Sequence, residues 1–507
     1  MSNQSANNKR IAKNTLLLYI RLFLLMGVSF YMSRVVLQIL GIEDLGIYNV
    51  VGGIVTMMSF MNNSLNITTQ RFMNYEMGKG RLENLSKVFS MSFWSYTIIA
   101  VIVLLVCETI GLWFFYNYLN IPENRIDAAF WVYQFSVVSF IVNLLTVPYS
   151  STIIAHERMG IYAYISIGDA ILKLLLVFAL NYINYDKLWL YGFMMLLATL
   201  FIWLCNWIYC RIQFEECRLR LMWSPEYLKK IMSFTGWTTL GNVGSCINIQ
   251  GVNVLINVFF SPSLNGARAI AFQVRTAITS FSANFLMAVR PQIFKSYAEG
   301  NLAYATKLIT SSTKLSIYIL LLFLFPLFLN TEFVLTLWLG EISKDMVVFT
   351  QIVLIGIPIN ICIPNLENVA QASGYIKKYQ IISAFSFIMI PLCTYLMFKL
   401  GFRAEWGFLM AIIWDIIGII LRLIVLKKDV GFSLFNYFMK VIMPVFLVLV
   451  ITILFISPIF LLDVNKWLFL ILSVLVIDLV LLFVIWILGL ESSERNLVMM
   501  YISKRKL

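Results

Sequence analysis

The stretch Thr15–Leu40, TLLLYIRLFLLMGVSFYMSRVVLQIL, decides the fold. Its only charges are Arg21 and Arg34, set in an otherwise apolar run. A helix rises 1.5 Å per residue, so about twenty residues cross the ~30 Å hydrocarbon core of a bilayer. The run is too long for the apolar region of a signal peptide and lacks a small-residue cleavage site. Behind Lys9, Arg10 and Lys13 it reads as a retained first span.

The rest of the chain follows the same pattern. Of 507 residues, 61% are hydrophobic and 12% charged, against about a quarter charged in a soluble domain. Gly (25) and Pro (11) are not enriched, so the apolar excess consists of long runs of Leu, Ile, Val, Phe and Met. The reading is an all-α integral membrane protein with about fourteen transmembrane helices. They begin near Thr15, Gly46, Val88, Ala128, Ile161, Leu188, Ile231, Gly266, Leu308, Met346, Tyr379, Glu405, Phe438 and Lys466.

The loops alternate in charge. One set carries Arg71, Lys79, Arg81 and Lys87; Arg158; Arg211, Arg218, Arg220, Lys229 and Lys230; Arg290, Lys295 and Lys307; Lys377 and Lys378; Lys427 and Lys428. By the positive-inside rule this set is cytoplasmic, and so are both termini. The other set is acidic or mixed: Glu43 and Asp44; Glu123, Arg125 and Asp127; Asp186 and Lys187; Glu332, Glu341, Lys344 and Asp345; Asp463 and Lys466. Topology thus accounts for most of the net charge of +13, and no nucleic-acid partner is expected. Membrane lipids are the expected surroundings.

Several chemistries are excluded. No loop outside the membrane exceeds roughly twenty residues on this span count, which leaves no room for a soluble catalytic or nucleotide-binding domain. No GxxxxGK[ST] motif is present. The seven cysteines form no CxxC pair, and the single histidine, His156, reads as a solvated loop residue beside Glu157 and Arg158. No metal, cofactor or enzyme activity is expected.

An internal repeat is visible at an offset of about 220 residues. Gly80-Arg81-Leu82 followed by Lys87 matches Gly300-Asn301-Leu302 followed by Lys307; Arg71 roughly matches Arg290, and Gly46 matches Gly266. The expected organisation is a six-helix bundle over 1–230, a second over 231–428, and two further helices over 429–507.

A charge inside a membrane helix costs several kcal/mol unless it faces a cavity or a partner. Arg268 and Arg275 stand seven residues apart, nearly two turns, so they share a face about 10 Å apart in depth. Either they track a phosphate chain, or Arg268 snorkels to the interface. Asp169 and Lys173, at i and i+4, can pair with each other or take part in proton or sodium coupling. Asp415 has no partner in sequence reach and is a second candidate for ion coupling.

Two spans carry polar stripes: Ser59, Asn63, Asn66 and Gln70 in the second, and Thr235, Thr238, Asn242, Ser245 and Asn248 in the seventh. Such stripes face either water or a polar partner helix. The glycines Gly236, Gly241, Gly244 and Gly251 allow the seventh span to pack closely or bend. Spans 1, 2, 7 and 8 together are expected to face one cationic central cavity. Arginine forks suit a pyrophosphate better than a cationic drug.

With Leu40-Gly41-Ile42-Glu43-Asp44-Leu45-Gly46-Ile47-Tyr48 joining spans 1 and 2, Gln70-Arg71 closing span 2, and the basic N-terminus, the chain resembles the multidrug/oligosaccharidyl-lipid/polysaccharide exporter superfamily. Within it, the resemblance is to the O-antigen and capsular polysaccharide flippases. It implies a MATE-like fold of two six-helix bundles around a central cavity. It also implies transfer of an undecaprenyl-pyrophosphate-linked oligosaccharide to the outer leaflet of a bacterial inner membrane by alternating access. Functional arginines of spans 1, 2 and 8 carry over to Arg34, Arg71 and Arg275. With Arg268 and Arg290 they form the expected pyrophosphate set, and Asn63, Asn66, Gln70, Asn242 and Asn248 the polar lining. A polysaccharide polymerase and other assembly proteins are expected partners. The alternative is a cation-coupled multidrug or metabolite exporter of the same fold.

Overall fold

The computed structural model describes residues 2–499 apart from 57–58, 82, 119–120, 219–223, 261, 341, 457–464, 493 and 496–498. Leu82, Arg220, Glu341 and Asp463 therefore lie outside the described residues, as do the side chains of Lys9, Arg34, Glu43 and Ser59. Among the described residues every regular element is helical. A chain of this composition has little choice, because lipid offers no partner to a backbone amide and a helix pairs its own.

The helices are α1 (Ser2–Thr56), α2 (Ser59–Gly78), α3 (Glu83–Val106), α4 (Leu112–Tyr118), α5 (Ile126–Ala155), α6 (Met159–Ala179), α7 (Lys187–Gln213), α8 (Pro225–Phe259) and α9 (Pro262–Ala298). They continue as α10 (Leu302–Leu329), α11 (Thr331–Leu339), α12 (Lys344–Ser373), α13 (Ile376–Lys399), α14 (Trp406–Val430), α15 (Leu434–Tyr437), α16 (Met443–Ile456) and α17 (Lys466–Val484). Eleven helical segments among the described residues are long and apolar enough to cross a membrane. The second, seventh and eighth expected spans fall outside that set. They are the end of α1 with α2, α8, and α9, the segments that carry the polar stripes and arginines.

α1 is broken at Gly41, whose φ of 76° and ψ of 176° are not helical. Glycine adopts a positive φ without steric cost, so the break separates the first span from the second. Asp44, just beyond it, is held by Arg125 Nε at 2.9 Å, and Arg125 also pairs with Asp186. Three loops expected on one side of the membrane are thereby joined.

The chain divides into two compact units, residues 1–242 with 287–302, and residues 243–286 with 303–507. The division falls inside α8 and α9, and the segment after 429 belongs to the second unit. In the first unit Leu65, Tyr96, Val132, Tyr133, Leu144 and Leu188 are fully buried. Lipid is as apolar as leucine, so packing and hydrogen bonds, more than the hydrophobic effect, hold such a core. Tyr96 Oη donates to the Leu65 carbonyl at 2.7 Å. The turns at Gly80 and Gly300 repeat one hydrogen-bond pattern. Gly80 N donates to Met77 O and Arg81 N to Glu76 O; Gly300 N donates to Tyr297 O and Asn301 N to Ser296 O. Both glycines have positive φ, 70° and 79°.

In the second unit α8 presses on α13. A Cβ on Gly244 would stand 2.8 Å from Ala384 Cα, and one on Gly251 3.0 Å from Pro391 Cβ, so these glycines serve close packing. The segment after α17 is tied to α10 by a buried ion pair, Lys314 Nζ to Glu494 Oε2 at 2.8 Å.

Between α3 and α4 the helix widens into a π turn, Cys107–Gly111, where Tyr133 Oη donates to the Cys107 carbonyl at 2.7 Å. The hydroxyl thereby satisfies a carbonyl at the start of the widened turn. A Cβ on Gly111 would lie 2.0 Å from that hydroxyl, whereas one on Gly27 meets nothing within 4 Å. Gly111→Ala is predicted to cost roughly 1–3 kcal/mol, and Gly27→Ala to leave stability unlowered. Thermal unfolding in detergent checks this, and equal melting temperatures for the two variants would contradict it.

Candidate functional site

In the second unit, α9 buries Arg268 to 5% exposure. Its Nη1 donates to Asn253 Oδ1 at 3.2 Å and its Nη2 to the Ile249 carbonyl at 2.9 Å, both on α8. Arg268 is therefore bound to its neighbouring helix. Phe272, between the two arginines in sequence, lies 4.2 Å from the Arg268 guanidinium and 5.4 Å from that of Arg275, measured to the ring centroid. An aromatic face stabilises a cation by about 0.5–2 kcal/mol, more as water is removed.

Two turns along, Arg275 Nη2 donates to Asn360 Oδ1 of α12 at 2.8 Å. Asn360 Nδ2 donates in turn to Asp415 Oδ2 of α14 at 2.5 Å. Asp415, without a partner in sequence reach, is buried and finds one through the fold. The chain Arg275–Asn360–Asp415 borders a cavity of about 40 Å³ with Phe272, Phe408 and Ile412. That is enough for water and far too little for a sugar.

Seven residues beyond Asp415, the same spacing as Arg268 to Arg275, stands Arg422. It is fully buried, its Nε donates to Ser383 Oγ at 3.0 Å, and its guanidinium lies 5.3 Å from the Phe387 ring and 5.9 Å from that of Tyr379. Nη1 and Nη2 have no hydrogen-bond partner among the described residues. Sequence reasoning passed over Arg422 because it lies close to Lys427 and Lys428 at the helix end. It also missed Asn360, although an asparagine between Pro358 and Pro364 of a membrane helix is a usable signal.

In the first unit the polar stripe of α2 is engaged by neighbouring helices. Asn242 Nδ2 of α8 donates to Ser64 Oγ at 2.7 Å, and Asn66 Nδ2 to Ser150 Oγ of α5 at 3.4 Å. Gln70 Nε2 donates to Asn66 Oδ1. Asn63 is exposed, and Asn248, which belongs to the second unit, is half-buried. Arg71 is half-buried among the rings of Phe72, Tyr75 and Phe234, at 4.7, 5.2 and 5.1 Å. Arg290 is also half-buried. The backbone of Arg34 belongs to α1. Asp169 and Lys173 pair at 2.8 Å on α6.

The short linker between α5 and α6 is more ordered than a solvated loop. His156 stacks on Phe214 at 4.2 Å and 19°, and its Nε2 lies 2.6 Å from Glu216 Oε1. Burial pushes the Glu216 carboxyl up, but the hydrogen bond and charge of His156 bring it below its ordinary 4.5. Glu157 has a left-handed φ of 59°, which costs a non-glycine residue roughly 1–2 kcal/mol. Its carboxylate, 1% exposed, meets Arg10 Nε at 2.6 Å and Lys295 Nζ at 2.8 Å, and accepts from Gln292 Nε2 at 2.7 Å. The α1 start and the α9 end are thus fastened to one residue.

With this geometry in place, the fold is matched by solved transporters. A MATE structure in the bent conformation gives a TM-score of 0.73 at 14% identity, over 84% of this chain and 96% of its own. An outward-facing multidrug resistance MATE family transporter of the MOP superfamily gives 0.70 at 13% identity, over 83% and 96%. A MOP superfamily transporter from Pyrococcus furiosus Vc1 (DSM3638), whose binding pocket is described as having reverse polarity that suggests a different function, gives 0.69 at 14%, over 83% and 96%. The chain has the MATE transporter fold, a multi-pass membrane architecture. No protein-family model matches the sequence, and no curated protein does.

Two predictions follow from the linker. Glu157→Gln leaves Lys295 without its buried counter-charge and is expected to destabilise the first unit by about 3 kcal/mol; an unchanged melting temperature would remove the hub. A carboxyl held below its ordinary value stabilises the fold above that value, and the contribution is lost as pH falls through the folded one. The melting-temperature gap between wild type and Glu216→Gln should therefore be largest near neutral pH and close below about pH 4.

Proposed function

We propose that the protein is an exporter for an anionic, lipid-linked oligosaccharide, moving it between leaflets by alternating access. The observation that carries this reading is the charge inside the second unit. Arg268 and Arg275 lie on α9 and Arg422 on α14, and among the described residues Asp415 is the carboxylate that faces Arg275 and Arg422. A guanidinium keeps its proton and offers a planar fork of donors that fits phosphate oxygens. A pocket for a cationic drug calls for the opposite sign.

In this proposal Arg275 and Arg268 grip the pyrophosphate, with Arg34, Arg71 and Arg290 as further candidates. Asn63 and Asn248 are the stripe residues chosen to meet sugar, and the Asp169–Lys173 pair couples a proton or sodium gradient. The prenyl tail stays in lipid. The setting that fits is a bacterial inner membrane with cytoplasmic termini, the flipped unit passing to a polysaccharide polymerase and other assembly proteins.

The second reading, a cation-coupled multidrug or metabolite exporter, draws on the fold shared with a multidrug resistance MATE transporter and on buried Asp415. The two readings diverge at one residue. Arg275→Ala should abolish delivery of surface polymer while folded protein persists in the membrane, and Arg275→Lys should restore only part of it, since lysine lacks the bidentate fork. Glycan blots alongside size-exclusion profiles of the variants check this. Normal polymer in Arg275→Ala, with raised drug sensitivity on loss of the protein, would support the second reading.

A further inference from the structure

The amide of Asn360 bridges Arg275 and Asp415 by hydrogen bonds, and the two charges also face each other. Arg275 offers donors and no acceptor, so the amide oxygen must face it; the NH₂ then faces Asp415, which must accept. The amide orientation thus follows from its two neighbours, a donor on one side and an acceptor on the other. An amide is suited to this position because a half-turn about its last bond exchanges donor for acceptor without moving the backbone.

We propose that Asn360 relays the protonation state of Asp415 to Arg275, so that proton uptake releases the arginine to bind substrate anion. With Asp415 ionised, the hydrogen bonds run from Arg275 to Asn360 to Asp415 and the arginine is parked. One proton from the aqueous phase, taken up on Asp415 Oδ2, removes the negative charge at the end of the chain and turns that oxygen into a donor. The Asn360 oxygen rotates to accept from it, and its NH₂ now faces the guanidinium, donor against donor. Arg275 leaves for another acceptor. Loss of the same proton reverses each step, and no proton passes onto the amide.

The surroundings suit such a switch. Among the described residues the groups facing Asp415 are Arg275 from α9, Asn360 from α12 and, on its own helix, Arg422, which lies over Tyr379 of α13. The 40 Å³ cavity at Arg275, Asn360 and Asp415 has room for water to deliver the proton. The inference rests on the proposed role of Arg275 as an anion-gripping residue. It adds a positioning residue, Asn360, whose own contact is with the arginine.

Two measurements on the full-length protein in nanodiscs separate the relay from the substrate assignment. Infrared difference spectra between pH 8 and pH 5, without ligand, should show a carboxyl band that Asp415→Asn removes, together with an amide change that Asn360→Leu removes. Absence of either band overturns the relay. Binding of inorganic pyrophosphate, followed by calorimetry, should strengthen about tenfold more on acidification in wild type than in Asp415→Asn or Asn360→Leu; the ligand's own titration is common to all three. An Asn360→Leu protein with the full wild-type pH response overturns the relay. Both infrared bands with no pyrophosphate binding at either pH would uphold the relay and overturn the pyrophosphate reading.

Discussion

A guanidinium keeps its proton in nearly every environment, so an arginine placed in a bilayer must be given its partners by the protein. In the second unit this constraint organises the helix packing. Arg268 bonds to α8 through Nη1 and Nη2, Arg275 reaches α12 and through it α14, and Arg422 ties α14 to α13. Aromatic rings fill the remaining faces. The number of partners is lower than the number of donors, and Arg422 keeps two nitrogens without a hydrogen bond among the described residues. Leaving donors of a buried guanidinium unpaired costs stability.

The first unit gathers its charges around a buried carboxylate. Glu157 accepts a strained backbone to bring Arg10, Lys295 and Gln292 to one point. The end of α9 also packs on α2 so closely that a Cβ on Gly78 would stand 2.5 Å from the Lys295 carbonyl. Polar side chains along α2 and α8 meet one another, as in Thr235 with Thr68 at 3.2 Å and Asn242 with Ser64. Hydrogen bonds of this kind contribute about 0.6–2 kcal/mol each inside a membrane, so the stripes are a substantial part of what holds these helices together.

The fold was legible because its signals are local. Apolar runs of bilayer length, the glycine at 41 and the polar stripes each depend on residues within a few turns, and so does the Asp169–Lys173 pair at i and i+4. The site was legible in residue type and not in partnership. Asn360 lies 85 positions from Arg275 and 55 from Asp415, and no periodicity in sequence relates them. Glu157 was hidden for the same reason, as its partners come from residues 10, 292 and 295. Interhelical hydrogen bonding and water-facing lining give the same stripe in sequence, and only packing distinguishes Asn66, Gln70 and Asn242 from exposed Asn63.

The central claim is that the cationic interior of this transporter fold serves a lipid-linked anion. Its most direct measurement is the leaflet distribution of lipid-linked oligosaccharide in cells lacking the protein, followed with a membrane-impermeant glycan probe on right-side-out and inverted vesicles. The account predicts that the intermediate accumulates on the cytoplasmic face and that surface polymer is lost. An unchanged distribution between the two leaflets would contradict it.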